Sequence, residues 1–403
     1  MGRVAVIGAG VVGVSSAYLL ARAGHDVTLV DAAGEPGTGA SAGNAAQLSW
    51  AYGDAMASPA LLKHLPAIAM GRDPAFRIHW QLDRDFLRWG LKFIANTPFR
   101  RWWNNTQDIL RLAEQSRYEL AILLKETDVE FDYRVAGKLH LYADPQSFAA
   151  AHSSVVRKNA LGFEQRLLKR VEAENIEPAL AAYQGEIAGA VYTPDDALGD
   201  AAGFCRQLTA WMVGRGQVST LFGRRVSSFV QTGGVLTGLR FEDRDELHVD
   251  AAIVAAGPQI LSLVSDLPEA RDIRSVRGYS LTIPRSGLAP SISLTDVKRK
   301  LAFVAIGDRF RVAGLADIER PGAGFDVGRF DTLKLAASAV LPDLFDRSDE
   351  LTRWSGERPM TPTSKPMIAA SRRIKGLYIN AGHGMLGWTL ALGSARRVVD
   401  LLR

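Results

Sequence analysis

Short β-branched runs and helical apolar stripes alternate at the start of this chain, which predicts strands and helices taken in turn. Arg3-Val-Ala-Val-Ile7 reads as a strand buried on both faces. Gly8-Ala9-Gly10-Val11-Val12-Gly13 follows at once, and from Val12 to Ala23 the apolar residues recur at helical spacing until Gly24 supplies a stop. Val27–Val30 predicts a second strand, ending at Asp31. Far downstream, Val249–Ala256 reads as another buried strand closing in the Gly257-Pro258 turn. Gly376–Asn380 predicts one more, and Trp388–Leu402 a closing helix. Between these, residues 59–143 are helix-rich and turn to strand near Gly137–Tyr142. Alternating runs at Tyr279–Ile283 and Phe310–Gly314 predict a mostly antiparallel sheet. The pattern implies an α/β chain of two units, each discontinuous in sequence. A Rossmann-like unit takes 1–58, 144–275 and 352–403, and a second, α+β unit takes 59–143 and 276–351.

The glycine run carries the first chemical suggestion. Gly8 permits a tight turn, Gly10 lets backbone approach a pyrophosphate, and Gly13 lets helix pack on strand. The helix N-terminus then offers free N–H groups and a partial positive charge to phosphates. With 38 glycines in the chain the bare pattern would arise by chance about 0.3 times, and a second copy stands at Gly382-His383-Gly384-Met385-Leu386-Gly387. Context separates the first copy: a strand before, a helix after, and an acid, Asp31, 18 residues beyond Gly13. After Asp31 and Ala32 the chain departs from a nicotinamide pattern. Gly37–Gln47 is small and polar, with Ser41, Asn44 and Gln47 able to bond a diphosphate, a ribityl chain or a ring edge.

Composition narrows the remaining classes. The 403 residues carry a net charge of only +5 and no long Lys/Arg run, which gives no electrostatic reason to expect nucleic acid. A single cysteine, Cys205, excludes an internal disulfide, and the seven histidines are scattered without ligand spacing, so no metal is expected. No run approaches the ~20 apolar residues of a membrane span, and the N-terminus has no cleavage or acylation signal, so a cytoplasmic location is expected. One segment qualifies that expectation. Phe86–Ile94 has an apolar helical face, and Pro98–Trp103 adds basic and aromatic residues. It reads either as a helix packed within the second unit or as a peripheral contact with the inner face of the cell membrane.

Gly8–Gly13 followed by Ala40-Ser41-Ala42-Gly43-Asn44-Ala45-Ala46-Gln47 resembles the D-amino-acid oxidase superfamily, and more narrowly the bacterial FAD-dependent D-amino-acid dehydrogenases. Gly189–Asp200 resembles the strand and turn before a flavin-domain helix. Trp354-Ser-Gly-Glu-Arg358-Pro-Met-Thr-Pro362 resembles the carboxylate-binding arginine motif, and Ala381–Ala391 the C-terminal glycine-rich motif. Two positions depart from the family: Ala46 stands where glycine is common, and Lys365 replaces a small residue. The resemblance implies a glycine-oxidase-like fold holding FAD along Gly8–Gly13, Asp31, Ala32, Ser41, Ala42, Asn44, Ala45, Gln47, Ala256, Gly257 and Gly382–Gly387. The cofactor is expected to be non-covalent, because Cys205 sits in a predicted helix that favours buried packing. It further implies oxidative deamination of D-amino acids to 2-oxo acids and ammonia, by hydride transfer from Cα to flavin, with a quinone or other respiratory acceptor.

Among the residues for that chemistry, Arg358 suits a two-pronged carboxylate clamp and Tyr279 a hydroxyl donor to the same group. The backbone at His383 suits stabilisation of a reduced flavin, and Gln47 is a polar group for the site. Two further readings stay open. One is the same chemistry on a secondary amine such as hydroxyproline or an opine, with partner subunits; the other is a flavin-bound assembly subunit without turnover.

Overall fold

The computed structural model describes residues 2–81, 83–264, 267–319, 324, 326–345 and 350–403. Two large sheets organise it. The first has six strands in the order Val218–Phe222, Asp26–Asp31, Arg3–Ile7, Ala251–Val254, Leu377–Ala381, Met367–Ala370. All neighbours in it are parallel except the last pair. Its central strands are apolar on both faces because helices cover one and a three-stranded antiparallel sheet (Val226–Thr232, Val235–Phe241, Glu246–His248) with the short Ile260–Leu263 helix covers the other, which is why they read as continuous hydrophobic runs. The helices Val11–Arg22, Ala201–Gly214 and Gly387–Leu402 pack in one core with Phe99–Glu126.

The second sheet has nine strands and is mostly antiparallel. Its order runs Thr352–Met360, Arg274–Pro284, Arg309–Ile318, Leu301–Ile306, Ser293–Asp296, Lys138–Tyr142, Gly189–Thr193, Arg166–Leu168, with Phe76–Ile78 added beside Arg309–Ile318. Ser293–Asp296 and Lys138–Tyr142 pair in parallel. One face of this sheet packs an apolar core (Leu139, Tyr279, Leu281, Phe303, Phe310, Val312) under the Gly328–Ser338 helix. Period-2 alternation sends Lys138, Ser293, Val304, Arg311, Ser280 and Arg358 to the opposite face.

Sheet membership divides the chain differently from the sequence pattern. Arg166–Leu168, Gly189–Thr193 and Thr352–Met360, expected beside the nucleotide-binding sheet, pair within the second one. Conversely, Phe99–Glu126, expected in the second unit, lies in the core of the first. A short apolar run specifies a strand but not its neighbour, and an apolar helix stripe does not say which sheet it covers.

Candidate active site

A cavity of about 610 Å³ opens where the Arg3–Ile7 and Ala251–Val254 strands end, at the carboxyl edge of the parallel sheet. Its walls begin with the first glycine run. Gly8 has φ +105°, and a Cβ there would lie 2.5 Å from the Ala255 carbonyl oxygen. A Cβ on Gly13 would lie 1.7 Å from the Gly8 carbonyl oxygen, so this glycine lets the helix close onto the turn. The first helical amide, of Val11, donates to Ser41 Oγ at 3.1 Å. Asp31 sits on the rim with Oδ2 accepting from the Ala9 amide at 2.6 Å and Oδ1 from the Ala33 amide at 2.8 Å. That bracing leaves lone pairs for hydroxyl groups of a ligand.

Gly8, Gly10, Val11, Val12, Asp31, Ala32, Ser41, Ala256, Gly257, Arg358, His383, Gly384 and Gly387 all line this one cavity, although they come from five separate stretches of chain. Asn380 lines it too. Its side chain is buried in the Leu377–Ala381 strand, Nδ2 donating to Ser16 Oγ at 3.1 Å and Oδ1 without a partner among the described residues. An orphaned acceptor, glycine-only approaches and two helix N-termini without an acidic first turn fit a dinucleotide. Cys205 is buried, and burial pushes its thiol pKa up, so it stays a packed thiol of the Ala201–Gly214 helix.

Arg358 comes from the second sheet. Its guanidinium lies over Gly278 of the adjacent strand, where a Cβ would approach Nη2 to 2.1 Å. It has no carboxylate or hydrogen-bond partner among the described residues, and burial lowers its pKa to about 10. At neutral pH it is therefore a partly buried, uncommitted cation. His383 stands nearby, bridged through backbone to Met360, two residues beyond Arg358. Its Nε2 pairs with Ser394 Oγ at 3.0 Å, and burial lowers its pKa to about 3, so the ring is neutral. Gly384 and Gly387, at the start of the last helix, turn their backbone to the same cavity.

Other expected site residues are placed elsewhere. Tyr279 belongs to the opposite face of the sheet from Arg358: its hydroxyl donates to Asp317 at 3.1 Å, and Asp317 also holds Arg329 and Arg77. Adjacent strand residues face opposite ways, so the short distance from Gly278 to Tyr279 in sequence misleads. Ala9, Gly13, Ala42, Asn44, Ala45, Gln47, Gly382, Met385 and Leu386 do not line the cavity. Ala9 and Gly13 build the turn. Gly382 has φ +79°, and Met385 points to solvent.

Asn44 and Gln47 instead fasten the Ser41–Gln47 stretch to the second sheet, one strand after another. A Cβ on Gly43 would strike the Trp354 indole at 1.9 Å. The Asn44 carbonyl accepts from Arg311 Nη1 at 2.8 Å, and its Oδ1 from the Ala46 amide at 2.7 Å. That turn holds Ala46 at φ +51°, where an L-residue is disfavoured, which explains why glycine suits this position. Ala46 packs on Val304 and Ile306. Gln47 Nε2 donates to Ser293 Oγ at 2.5 Å, while its Oε1 accepts from Lys138 Nζ at 2.9 Å. Lys365 pairs with Asp108 at 2.9 Å. Sequence reading missed Arg311, Lys138 and Asn380. Asn380 interrupts an apolar strand run, and that interruption was the available signal; Lys138 and Arg311 share their strands with His140 and Arg309, so no lone interruption marks them.

A dinucleotide cavity in a Rossmann-like sheet, closed by a second, mostly antiparallel sheet that brings a partly buried arginine to its edge, defines a two-domain nucleotide-dependent oxidoreductase. The chain belongs to the FAD-dependent oxidoreductase (DAO) family, whose model matches residues 3–401. It is 37% identical over 410 residues to the D-amino acid dehydrogenase 2 of Ralstonia nicotianae, covering 99% of this chain and 96% of the relative. It is also 37% identical over 413 residues to a D-amino acid dehydrogenase of Paramagnetospirillum magneticum (99% and 94% covered). Glycine oxidase from Bacillus cereus superposes with a TM-score of 0.75 at 19% identity, covering 100% of this chain and 95% of that one. L-proline dehydrogenase from P. horikoshii superposes with the same score at 16% identity, covering 99% and 92%. The protein is thus an FAD-dependent oxidoreductase of glycine-oxidase-like fold.

Proposed function

We propose that this protein is an FAD-dependent D-amino-acid dehydrogenase. The overall change is a D-amino acid and water going to a 2-oxo acid and ammonia, with two electrons and two protons passing to an acceptor. When bound, the isoalloxazine of FAD supplies the two-electron acceptor for the substrate Cα hydride. The chain's own residues supply position and charge. Arg358 is the observation that carries this reading: a partly buried guanidinium without a partner among the described residues, at the rim of the nucleotide cavity, fits a substrate carboxylate. Neutral His383 brings no positive charge that would oppose a cationic amine, and the Gly384–Gly387 backbone suits stabilisation of negative charge on the cofactor. The names of the relatives support the D-configuration, and a quinone or other respiratory carrier is the acceptor this reading assigns.

A panel of D- and L-amino acids, with an artificial dye and oxygen as alternative acceptors, tests the reading. D-substrates should bleach the bound flavin and turn over with dye far faster than with oxygen; reaction of L-enantiomers alone would overturn it. Arg358→Met should keep FAD yet lose kcat/KM by about 10²–10³-fold, as expected for the roughly 3–4 kcal/mol of a desolvated charge pair.

A further inference from the structure

Beyond the cavity, four charged side chains are gathered between the sheets around the run that follows Gln47. Lys138 projects from the Lys138–Tyr142 strand and is 2% exposed. Its ammonium donates to Gln47 Oε1 at 2.9 Å and Ser49 Oγ at 3.0 Å, and sits 4.5 Å from the centroid of the Tyr52 ring. Two hydrogen bonds and a π-face thus occupy all three directions of the ammonium. Asp196, between the turn that follows the Gly189–Thr193 strand and the Ala197–Leu198 strand, accepts from the Trp50 amide at 2.9 Å through Oδ1. Lys158, on the Pro145–Asn159 helix, pairs with Asp54 at 2.5 Å. The His140 ring stacks on Tyr52 with centroids 3.9 Å apart.

We propose that Lys138 is a positioning residue that, with Asp196, fixes residues 47–51 on the second sheet and thereby holds in place the preceding stretch, whose Ser41 lines the nucleotide cavity. This rests on the FAD reading above. The run from Gln47 to Asp54 has little regular structure of its own: Gln47–Leu48 makes a two-residue pairing with Ala197–Leu198, and beyond it side chains take over. An irregular buried backbone must be satisfied by side chains: the Trp50 amide meets that demand through Asp196 and the Ser49 amide through Thr389 Oγ1 at 3.2 Å, while Lys138 holds the side chains of Gln47 and Ser49. A buried ammonium is expensive, and a methionine would fill the same space without the desolvation cost. What the ammonium adds is direction: three donors at fixed angles on one run of chain.

The ammonium also ties this latch to pH. Lys138 is faced by Asp196, which favours its charge, and by Lys158, which opposes it. Tyr52, Asp54, His140 and Tyr142 complete the surrounding titratable groups. Burial brings its pKa down to about 8, so the latch weakens as pH rises past that value.

Hydrogen exchange on the protein without added FAD, together with FAD release from the holoprotein, provides the test for Lys138→Met. Amides of residues 46–52 should exchange at least tenfold faster in the variant, with the Arg3–Ile7 strand unchanged, and FAD should leave at least fivefold faster at pH 7. FAD release from the unaltered protein should quicken between pH 7 and pH 9.5, whereas the variant should show no such change. Unchanged exchange in 46–52, equal loosening of the Arg3–Ile7 strand, or the same pH response in both proteins would overturn the proposal. Lys138→Gln replaces the methionine variant if that one does not accumulate. A chain that takes up no FAD would overturn the functional reading alone, because the exchange result still decides the latch.

Discussion

His383 occupies a turn where the imidazole is forced to stay neutral, and that has a thermodynamic cost on acidification. Its folded pKa of about 3 lies below the ordinary value of 6.5, so the unfolded chain binds the extra proton between those limits. Stability from this group is complete above pH 6.5 and is lost as pH falls, by about 1.4 kcal/mol per pH unit at most. Asp196 runs the other way, since burial raises its pKa to about 6 and the folded chain is the one that gains the proton. Replacing His383 by Gln should therefore flatten the acid side of the stability curve; thermal midpoints of both proteins at pH 7 and pH 5 check this. Equal losses in the two would remove His383 as the cause. The same scale shows what sequence can give. Gly8, Gly13 and Asp31 were legible because each answers a local backbone demand. Tyr279 was not, because its role depends on which face of a strand it takes, and one residue decides that.

Secondary-structure elements were mostly readable, and their partners were not. The Arg84–Ala95 helix illustrates both halves. Phe86, Trp89 and Phe93 bury one face, the last two packing with Ala57, Val276, Ala316 and Met360. The reading of a packed helix is therefore part of the account. Yet Leu87, Leu91 and Ile94, at 49%, 69% and 48% exposure, form a second apolar stripe on the outside. Arg84, Arg100 and Arg101 are exposed close by in sequence. Among the described residues no helix is long and apolar enough to cross a membrane. A stripe of this kind, with basic neighbours, suits contact with an anionic lipid surface, in keeping with the respiratory acceptor proposed above. Flotation with anionic liposomes should recover the protein, and Leu91→Glu should reduce that recovery several-fold while leaving dye-coupled turnover intact. Equal recovery with neutral and anionic lipid would count against it.

At the scale of the molecule, long-range closure is what the sequence could not supply. The last helix, Gly387–Leu402, meets Phe99–Glu126 almost backbone to backbone: a Cβ on Gly393 would lie 2.5 Å from the Leu112 carbonyl oxygen. Beside that contact Glu119 is buried and receives Arg396 Nε at 2.6 Å and Arg22 Nη1 at 3.5 Å, so one carboxylate joins three helices. Glu119→Ala should cost about 3 kcal/mol, seen as a fall in Tm of about 3–4 °C, since it strands Arg396, while Arg22 keeps its pair with Glu126 at 2.8 Å. A shift under one degree would mean that water replaces the carboxylate fully.

The stitching of residues 43–49 across the second sheet carries a consequence of another kind. Gly43, Asn44, Ala46, Gln47 and Ser49 meet in turn the strands that carry Trp354, Arg311, Val304, Ser293 and Lys138. Such a tether behaves like a ruler whose marks must all coincide. Inserting or deleting a single residue would bring every later mark against the wrong strand, so descendants of this chain cannot change its length there.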